Sequence, residues 1–192
     1  CKEGILSEHP TLRAFNFKKW VEDNADQLKP PVGNKLMHKD ADMIVMVVGG
    51  PNTRVDFHDD PVNEWFYQVK GDIVLKIADQ KGIYDVPIRE GEVFMLPPHV
   101  LHAPQRPQVG SIGIVVEGAR HAGMLEGFEW FCFNCGKRVH RVEVTLDGPE
   151  GIVDKLPQIF ELFANDIDAR TCKNCGTLHP GKGQAPDGWV NI

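Results

Sequence analysis

The sequence predicts a fold dominated by β-strands, with a few helices and a small cysteine-containing tail. Between about residues 42 and 117, short runs rich in Val and Ile alternate with Gly and Pro. Turn residues recur about every eight to twelve positions there, a spacing typical of β-sandwiches and β-barrels. A length of 192 residues leaves room for one domain of ordinary size and a modest appendage.

The sequence up to about residue 117 predicts one helix and six strands. A helix is predicted over Asn16–Leu28, because Asn16 can cap it and Pro30 stops it. The strands follow from runs of β-branched residues: Met43–Val48, Glu64–Val69, Ile73–Ile77, Gly82–Ile88, Val93–Leu96 and Ile112–Val116. Gly71, between the second and third of these, supplies the positive φ of a tight turn, so Lys70-Gly71-Asp72 predicts a hairpin.

The C-terminal third has a different pattern. The alternating run Val139–Val144 predicts a strand. Apolar residues at helical intervals predict a helix over Ile152–Phe163, with Pro157 expected in a first turn rather than mid-helix. We therefore expect a barrel with its N-terminal helix over residues 1–128. A C-terminal extension over residues 129–192 is expected to pack on that barrel.

Composition argues against two classes of partner. The net charge is −6 with no run of Lys or Arg, which argues against a nucleic-acid surface. The longest apolar run, Met43–Val48, is too short to cross a bilayer, and the first ten residues lack the regions of a signal peptide. We therefore expect a cytoplasmic protein. Cys1 has no predicted role, and the chain starts without Met, so its natural beginning is left open.

One polar constellation predicts metal chemistry. His58 is followed by Glu64 after five intervening residues, and His102 lies further downstream. Two neutral imidazoles and one carboxylate are the ligand set of a facial Fe(II) site with positions open for substrate and O2. Barrel strands alternate inward and outward side chains, so ligands from separate strands can meet at one interior point. Asp56 is either a fourth ligand or, as we favour, a partner that orients His58.

This constellation resembles the two-part signature of the cupin superfamily. The positions that match it are Gly50, Asp56, His58, Glu64 and Gly71 in the first half, and Gly91, Pro97, His99, His102 and Arg106 in the second. Three residues depart from the pattern: Asp56 replaces a His, His99 a Gly and Arg106 an Asn. The spacing between His58 and Glu64 is also longer than usual. The resemblance implies a double-stranded β-helix, or jelly-roll barrel, with the metal inside its mouth.

Charged residues bracket the expected ligands. Arg54 lies four residues before His58, and Arg106 lies four residues after His102. A guanidinium binds a carboxylate through a paired fork of hydrogen bonds, so the two arginines indicate a substrate with a carboxylate. Glu117 ends an apolar run and, if it points inward, can accept a hydrogen bond from an amine or hydroxyl. Asn34 is a weaker candidate for the same pocket.

The stretches 54–68 and 96–106, together with Glu117, resemble the 3-hydroxyanthranilate 3,4-dioxygenase family. The likeness runs from about Asn16 to the second cysteine pair. It implies Fe(II)-dependent extradiol cleavage of 3-hydroxyanthranilate by O2. The product would be 2-amino-3-carboxymuconate semialdehyde, which closes to quinolinate on the kynurenine pathway from tryptophan to NAD. The resemblance also suggests a homodimer.

The resemblance assigns roles within the pocket. The substrate's hydroxyl and amine would chelate iron held by His58, Glu64 and His102. Arg54 and Arg106 would anchor the carboxylate, and Glu117 would bond the amine or transfer a proton. The residues expected to face the substrate are Asn34, Val48, Arg54, Glu64, Phe66, Pro104, Arg106 and Glu117, with Val48, Phe66 and Pro104 as apolar walls for the ring.

The tail contains the unit Cys-x-Asn-Cys-Gly twice, which supplies Cys132, Cys135, Cys172 and Cys175. Two Cys-x2-Cys pairs are a strong signal for one tetrahedral metal site with four sulfur ligands. The resemblance supports a rubredoxin-like centre, which bacterial and fungal-type members of the family carry. A closed site leaves no position for substrate, so we expect a structural role with iron or zinc bound.

Two other functions stay open. One is another cupin metalloenzyme acting on a carboxylate-bearing substrate, and the other is a non-enzymatic cupin that binds a ligand. The two arginines, Glu117 and the cysteine tail favour the dioxygenase over the first. A three-ligand metal with open positions favours it over the second. Whether the enzyme would serve NAD synthesis or the degradation of an aromatic compound is left open.

Overall fold

A computed structural model describes residues 13–30, 33–38, 41–145 and 148–182. The described strands are β1 (Asn34–Leu36), β2 (Ile44–Gly49), β3 (Asp56–Asp59), β4 (Glu64–Lys70), β5 (Ile73–Asp79), β6 (Gly82–Ile88), β7 (Val93–Leu96), β8 (Leu101–Gln105), β9 (Ile112–Glu117), β10 (Leu125–Phe131) and β11 (Arg138–Thr145). The helices are α1 (Phe17–Asp23), α2 (Gly148–Asn165) and α3 (Ile167–Arg170).

The strands form two antiparallel sheets, ordered β1-β2-β9-β4-β7 and β11-β10-β3-β8-β5-β6. From β2 to β10 the chain crosses from one sheet to the other at every step except β5 to β6, which stay together in the second sheet. This repeated crossing winds two ribbons of chain into a jelly-roll barrel. The predicted double-stranded β-helix with a few helices is confirmed.

All six strands predicted before residue 117 are present, and their ends lie within two residues of the expected ones. The strand predicted over Val139–Val144 is also present, within β11. Four strands were not predicted: β1, β3, β8 and β10. In β3 and β8 the sequences Asp-Phe-His-Asp and Leu-His-Ala-Pro-Gln carry the polar residues of the pocket, so the usual β-branched pattern is missing.

The predicted hairpin at Lys70-Gly71-Asp72 is wrong. Gly71 has the expected positive φ of 67°. However, β4 pairs with β7 and β9, whereas β5 pairs with β6 and β8, so the turn carries the chain between the two sheets. A glycine at positive φ marks a sharp turn but does not tell which strands pair after it. The hairpin partner of β5 is β6, with Asp79 opposite Gly82.

The helices follow the predictions only in part. Asn16 caps α1 as expected, because its side chain accepts a hydrogen bond from the Lys19 amide at 3.0 Å. The α-helix ends at Asp23, and the predicted remainder continues as a 3-10 helix over Ala25–Leu28. The prediction for Pro157 is wrong, since it lies inside the 18-residue α2 rather than in a first turn. Proline has no amide hydrogen, so α2 lacks one hydrogen bond there.

Among the three buried apolar clusters of the described residues, two lie on either side of the pocket between the sheets. One fills the barrel and includes Phe66, Leu75 and Leu96. The other packs β10 and β11 against α2, where the rings of Trp130 and Phe163 stack at 4.1 Å. Within the described ranges, no helix has the length and apolar character needed to cross a membrane. The division of the chain at residue 128 stays a prediction; β10 spans that point and pairs with both β3 and β11.

Candidate active site

The sequence-predicted pocket residues converge on one cavity at the mouth of the barrel. Its lining includes all ten of them: Asn34, Val48, Arg54, His58, Glu64, Phe66, His102, Pro104, Arg106 and Glu117. They come from strands of both sheets and from the segments next to them. Residues more than 80 positions apart along the chain therefore face one another across a single cavity.

The barrel places the three candidate ligands by strand pairing. His58 on β3 and His102 on β8 are directly opposite each other in neighbouring strands of the second sheet. Glu64 opens β4 in the first sheet, where it is paired with Glu117 of β9. All three ligand candidates are buried, with exposures of 8% for His58, 3% for Glu64 and 1% for His102. Two imidazoles from one sheet thus meet a carboxylate from the other.

The donor atoms suit a bound cation. Glu64 Oε1 lies 2.8 Å from His102 Nε2 and 3.8 Å from His58 Nδ1. His102 donates from Nδ1 to the Val100 carbonyl at 2.9 Å, so in the neutral ring Nε2 carries a lone pair. Two lone-pair atoms at 2.8 Å need a proton or a metal between them, and Glu64 Oε1 has no well-oriented hydrogen bond. A metal ion would satisfy all three ligands.

The electrostatics of this cluster show that it attracts positive charge. Burial alone would raise the pKa of Glu64, but the neighbouring histidines outweigh burial and lower it to about 2. Burial alone would lower the pKa of His102, but Glu64 outweighs it and raises that pKa. The carboxylate is therefore ionised across the physiological range, as a metal ligand must be.

The two arginines are not equivalent. Arg54 forms an ion pair with the carboxylate of Asp56. Arg106 is 2% exposed and donates from Nη1 to Gln68 Oε1 at 3.0 Å. Among the described residues, no carboxylate lies within ion-pair distance of Arg106, and burial lowers its pKa to about 10. A buried guanidinium with unused donors next to a pocket is suited to an anionic ligand.

The predicted orienting role of Asp56 is wrong. Its carboxylate oxygens accept hydrogen bonds from Arg54, whereas the partner of His58 is Glu126, with Nε2 and Oε2 separated by 2.7 Å. Asp56 and His58 are two residues apart on one strand, which made Asp56 the obvious candidate. The actual partner lies on β10, a strand that pairs with β3 but is distant in the sequence.

Sequence reasoning missed a buried charge network around Arg120. Its guanidinium contacts Glu117 Oε2 at 2.6 Å, Asp60 Oδ2 at 2.9 Å and the carboxylate of Glu126. Burial, followed by the charge of Glu64, raises the pKa of Glu117 to about 7. Burial likewise raises the pKa of Asp60 to about 8, despite Arg120. Two signals of this network are present in the sequence. One is Arg120, three residues after Glu117, and the other is Glu126, near the start of an otherwise largely apolar strand.

His99 explains one departure from the cupin pattern. Within the described residues it is the one non-glycine residue with positive φ, at 60°, at the position where the pattern has glycine. Its side chain is 65% exposed and contacts Asp59 at 3.0 Å. His99 therefore takes over a glycine conformation at a turn and points away from the ligands.

The four predicted cysteines form a second cluster. The Sγ atoms of Cys132 and Cys175 are 3.5 Å apart, and those of Cys135 and Cys172 are 3.6 Å apart. These distances exceed a disulfide bond of about 2.0 Å and are close to the roughly 3.8 Å edge of a tetrahedron of sulfurs around zinc. A Gly follows each pair, Gly136 at φ 68° and Gly176 at φ 76°. The two Cys-x-Asn-Cys-Gly segments thus form the same kind of turn, and their cysteine sulfurs lie next to one another.

Comparison with known proteins agrees with the site. The family described as 3-hydroxyanthranilic acid dioxygenase matches residues 10–164. Similar proteins named 3-hydroxyanthranilate 3,4-dioxygenase occur in Jannaschia sp. (strain CCS1), 56% identical over 181 residues, and Ruegeria pomeroyi, 57% identical over 181 residues. A third, from Brucella anthropi, is 58% identical over 183 residues. Each comparison covers 94% of this chain and 98% of the relative. The chain belongs to the 3-hydroxyanthranilic acid dioxygenase family.

Proposed function

We propose that the protein is an Fe(II)-dependent dioxygenase that cleaves the ring of 3-hydroxyanthranilate with O2 to give 2-amino-3-carboxymuconate semialdehyde. One juxtaposition carries the proposal: the buried triad His58, Glu64 and His102 shares a cavity with Arg106, a buried guanidinium bonded only to Gln68 among the described side chains. Membership of the family supports the same reaction.

His58, Glu64 and His102 would hold the iron. Three protein ligands leave open positions on a six-coordinate ion. When bound, Fe(II) would bring O2 and the substrate's hydroxyl and amine onto one centre and supply the redox chemistry that ring cleavage requires. The remaining contributions come from the side chains around the cavity.

Arg106 would bind the substrate carboxylate. The bond to Gln68 fixes the guanidinium, and the N–H groups that have no partner among the described residues can form a paired contact with a carboxylate. Arg54 also lines the cavity, but its charge is already balanced by Asp56. We therefore assign the larger part of carboxylate binding to Arg106 and a supporting part to Arg54. Binding a charge at a buried site also orients the ring relative to the ligands.

Glu117 would exchange a proton with the substrate. Its pKa of about 7 means that both protonation states are available near neutral pH. Arg120 contacts Oε2 at 2.6 Å, which leaves Oε1 to accept a hydrogen bond or a proton from the amine or hydroxyl of the substrate. Val48, Phe66 and Pro104 give the cavity apolar walls that exclude water from the ring.

The cysteine cluster would bind a structural iron or zinc ion. Its four thiols come from turns, and a tetrahedral site with four sulfur ligands has no open position for substrate. The family resemblance is also what supports a homodimer, whereas a cytoplasmic location is supported by the sequence pattern alone. Light scattering on the purified protein tests the dimer.

The test of the proposed function is direct. Protein loaded anaerobically with Fe(II) is mixed with air-saturated 3-hydroxyanthranilate, and O2 uptake and near-ultraviolet absorbance are recorded. We expect one O2 consumed per substrate and a transient absorbance that decays as quinolinate forms. Anthranilate, which lacks the ring hydroxyl, is the control and should give no uptake. Protein that binds iron at the barrel but consumes no O2 with 3-hydroxyanthranilate would refute the proposal.

A further inference from the structure

We infer that Glu126 is a positioning residue that fixes His58 so that its Nδ1 atom binds the metal, and that Arg120 holds Glu126 in place. The inference rests on the metal-binding part of the proposed function but is independent of the substrate. Glu126 is 1% exposed and lines the cavity, although it belongs to none of the predicted ligand sets.

The contacts of His58 determine which ring nitrogen is free. Nε2 lies 2.7 Å from Glu126 Oε2, and an ionised carboxylate only accepts hydrogen bonds, so Nε2 carries the proton. The ring also stacks on Phe128 with 4.8 Å between centroids and an interplanar angle of 3°. The stacking and the hydrogen bond together fix the plane and the rotation of the ring. Nδ1 is left to face Glu64 Oε1 at 3.8 Å.

His102 is fixed in the opposite way. Its Nδ1 donates to the Val100 carbonyl, a backbone group two residues away, and its Nε2 faces Glu64. The two histidines therefore present different nitrogens to the same point. Nδ1 and Nε2 project from different corners of the ring, and this difference allows two directly paired residues on neighbouring strands to approach one ion from different directions.

Arg120 fixes the orientation of Glu126. Its Nε bonds Glu126 Oε1, and its Nη2 lies 3.3 Å from Oε2, so both carboxylate oxygens are held. The same guanidinium contacts Glu117 and Asp60. One buried cation therefore ties the carboxylate that orients His58 to the carboxylate assigned to substrate proton transfer. A carboxylate that orients a metal-bound histidine typically changes metal affinity by about 10- to 100-fold.

Glu129 provides a matched control on the same strand. It is 3% exposed and paired with Arg138 and Arg141, so it is also a buried, arginine-bound carboxylate. Because it is an odd number of residues from Glu126, it faces the other side of β10. Glu129→Gln removes a similar charge from a similar environment without touching His58.

The first experiment measures metal affinity rather than activity. Protein with zinc in the cysteine cluster is stripped at the barrel site, and Fe(II) is titrated against a coloured chelator. We expect Glu126→Gln to weaken Fe(II) binding about 10-fold or more, because the amide places N–H donors against Arg120, and Glu129→Gln to leave it unchanged. Melting of the iron-free proteins shows whether each variant is folded. If Glu126→Gln does not fold, Arg120→Lys takes its place in the titration and should also weaken Fe(II) binding.

The second experiment measures the protonated nitrogen. In Zn(II)-loaded protein, long-range proton–nitrogen NMR spectra should show His58 protonated at Nε2 and His102 at Nδ1. Equal Fe(II) affinity of Glu126→Gln and wild type, or His58 protonated at Nδ1, would overturn the inference. A wild type that binds no iron at the barrel would instead refute the proposed function, so the two failures are distinguishable.

Discussion

The barrel cluster and the cysteine cluster can both bind a metal, but they are assembled by different means. His58, Glu64 and His102 come from strands of two sheets and meet only because the barrel closes. The cysteines come from two copies of one local turn that dock against each other. The fold itself builds the site that must keep open positions, and a local motif builds the site that only needs to be closed.

Their electrostatic surroundings also differ. The barrel cluster lies among buried charges, and pKa values of about 2 for Glu64 and about 7 for Glu117 show how strongly burial and neighbouring charges separate similar carboxyls. In the cysteine cluster, hydrogen bonds from Thr177 lower the pKa of the exposed Cys175 to about 5. Burial raises the pKa of Cys132 to about 11. The first environment can hold and move protons beside a substrate, whereas the second favours the thiolate at Cys175 and disfavours it at Cys132.

The largest effect is expected from removing a barrel ligand. His102→Ala should remove one metal per chain and reduce kcat by at least about 10^3-fold, since metal catalysis contributes several kcal/mol. The cysteine cluster should keep its metal, because none of its ligands comes from the barrel strands. Metal analysis and thiolate absorption check both statements. Retention of two metals per chain would show that His102 is not a required ligand, and loss of both metals would show that the two clusters are not independent.

The next effect concerns the substrate carboxylate. Arg106→Ala should raise KM for 3-hydroxyanthranilate by about 10- to 100-fold, because a hydrogen-bonded charge contributes about 1.5–3 kcal/mol. Iron content should stay at the wild-type level, since Arg106 contacts Gln68 rather than a ligand. The preference for 3-hydroxyanthranilate over 2-aminophenol, which lacks the carboxylate, should fall by a similar factor. Arg89→Ala on the surface is the control. Loss of iron in Arg106→Ala would contradict its role as a substrate anchor.

Breaking the cysteine cluster should lower stability and leave kcat nearly unchanged. Cys175→Ser should release the tail metal and lower the melting temperature, since a structural metal contributes directly to folding. The kcat of the remaining folded, iron-loaded protein should stay within about two-fold of wild type if the cluster is structural. Cys1→Ser removes the one cysteine outside the pairs and should change neither quantity. A large fall in kcat with normal barrel iron would assign the cluster a part in catalysis.

The two clusters also differ in what the sequence could predict. The cysteine pairs and the His58/Glu64/His102 set have fixed spacings, so both were found, and Arg106 was found because it lies close to a ligand. Glu126 and Arg120 were missed because β10 comes beside β3 only through the sheet order. The wrong role for Asp56 and the wrong hairpin at Gly71 have one cause. Each assumed that residues close in sequence pair locally, whereas the chain crosses to the other sheet after β4 and the partner of His58 lies on β10.

The smallest effect concerns a third buried imidazole. His179 is 1% exposed, stacks on Phe133 at 4.6 Å and accepts at Nδ1 from the Gly181 amide. Burial, reinforced by the charge of Arg170, lowers its pKa to about 4, whereas Glu64 raises the pKa of His102. The unfolded chain therefore binds the extra proton first, and stability is lost as pH falls from about 6.5 towards 4.

For His179 this linkage gives a loss of about 2 kcal/mol in the free energy of unfolding between pH 7 and pH 5. His179→Gln keeps an acceptor for the Gly181 amide but cannot be protonated, so its stability should fall by about that much less over the same interval. Urea unfolding of both proteins at pH 7 and pH 5 measures how much less stability the variant loses. Any release of the tail metal by acid affects both proteins and therefore cancels in this comparison. An equal loss in both proteins would show that His179 is protonated in the folded state and that the tail tolerates a buried charge as the barrel does.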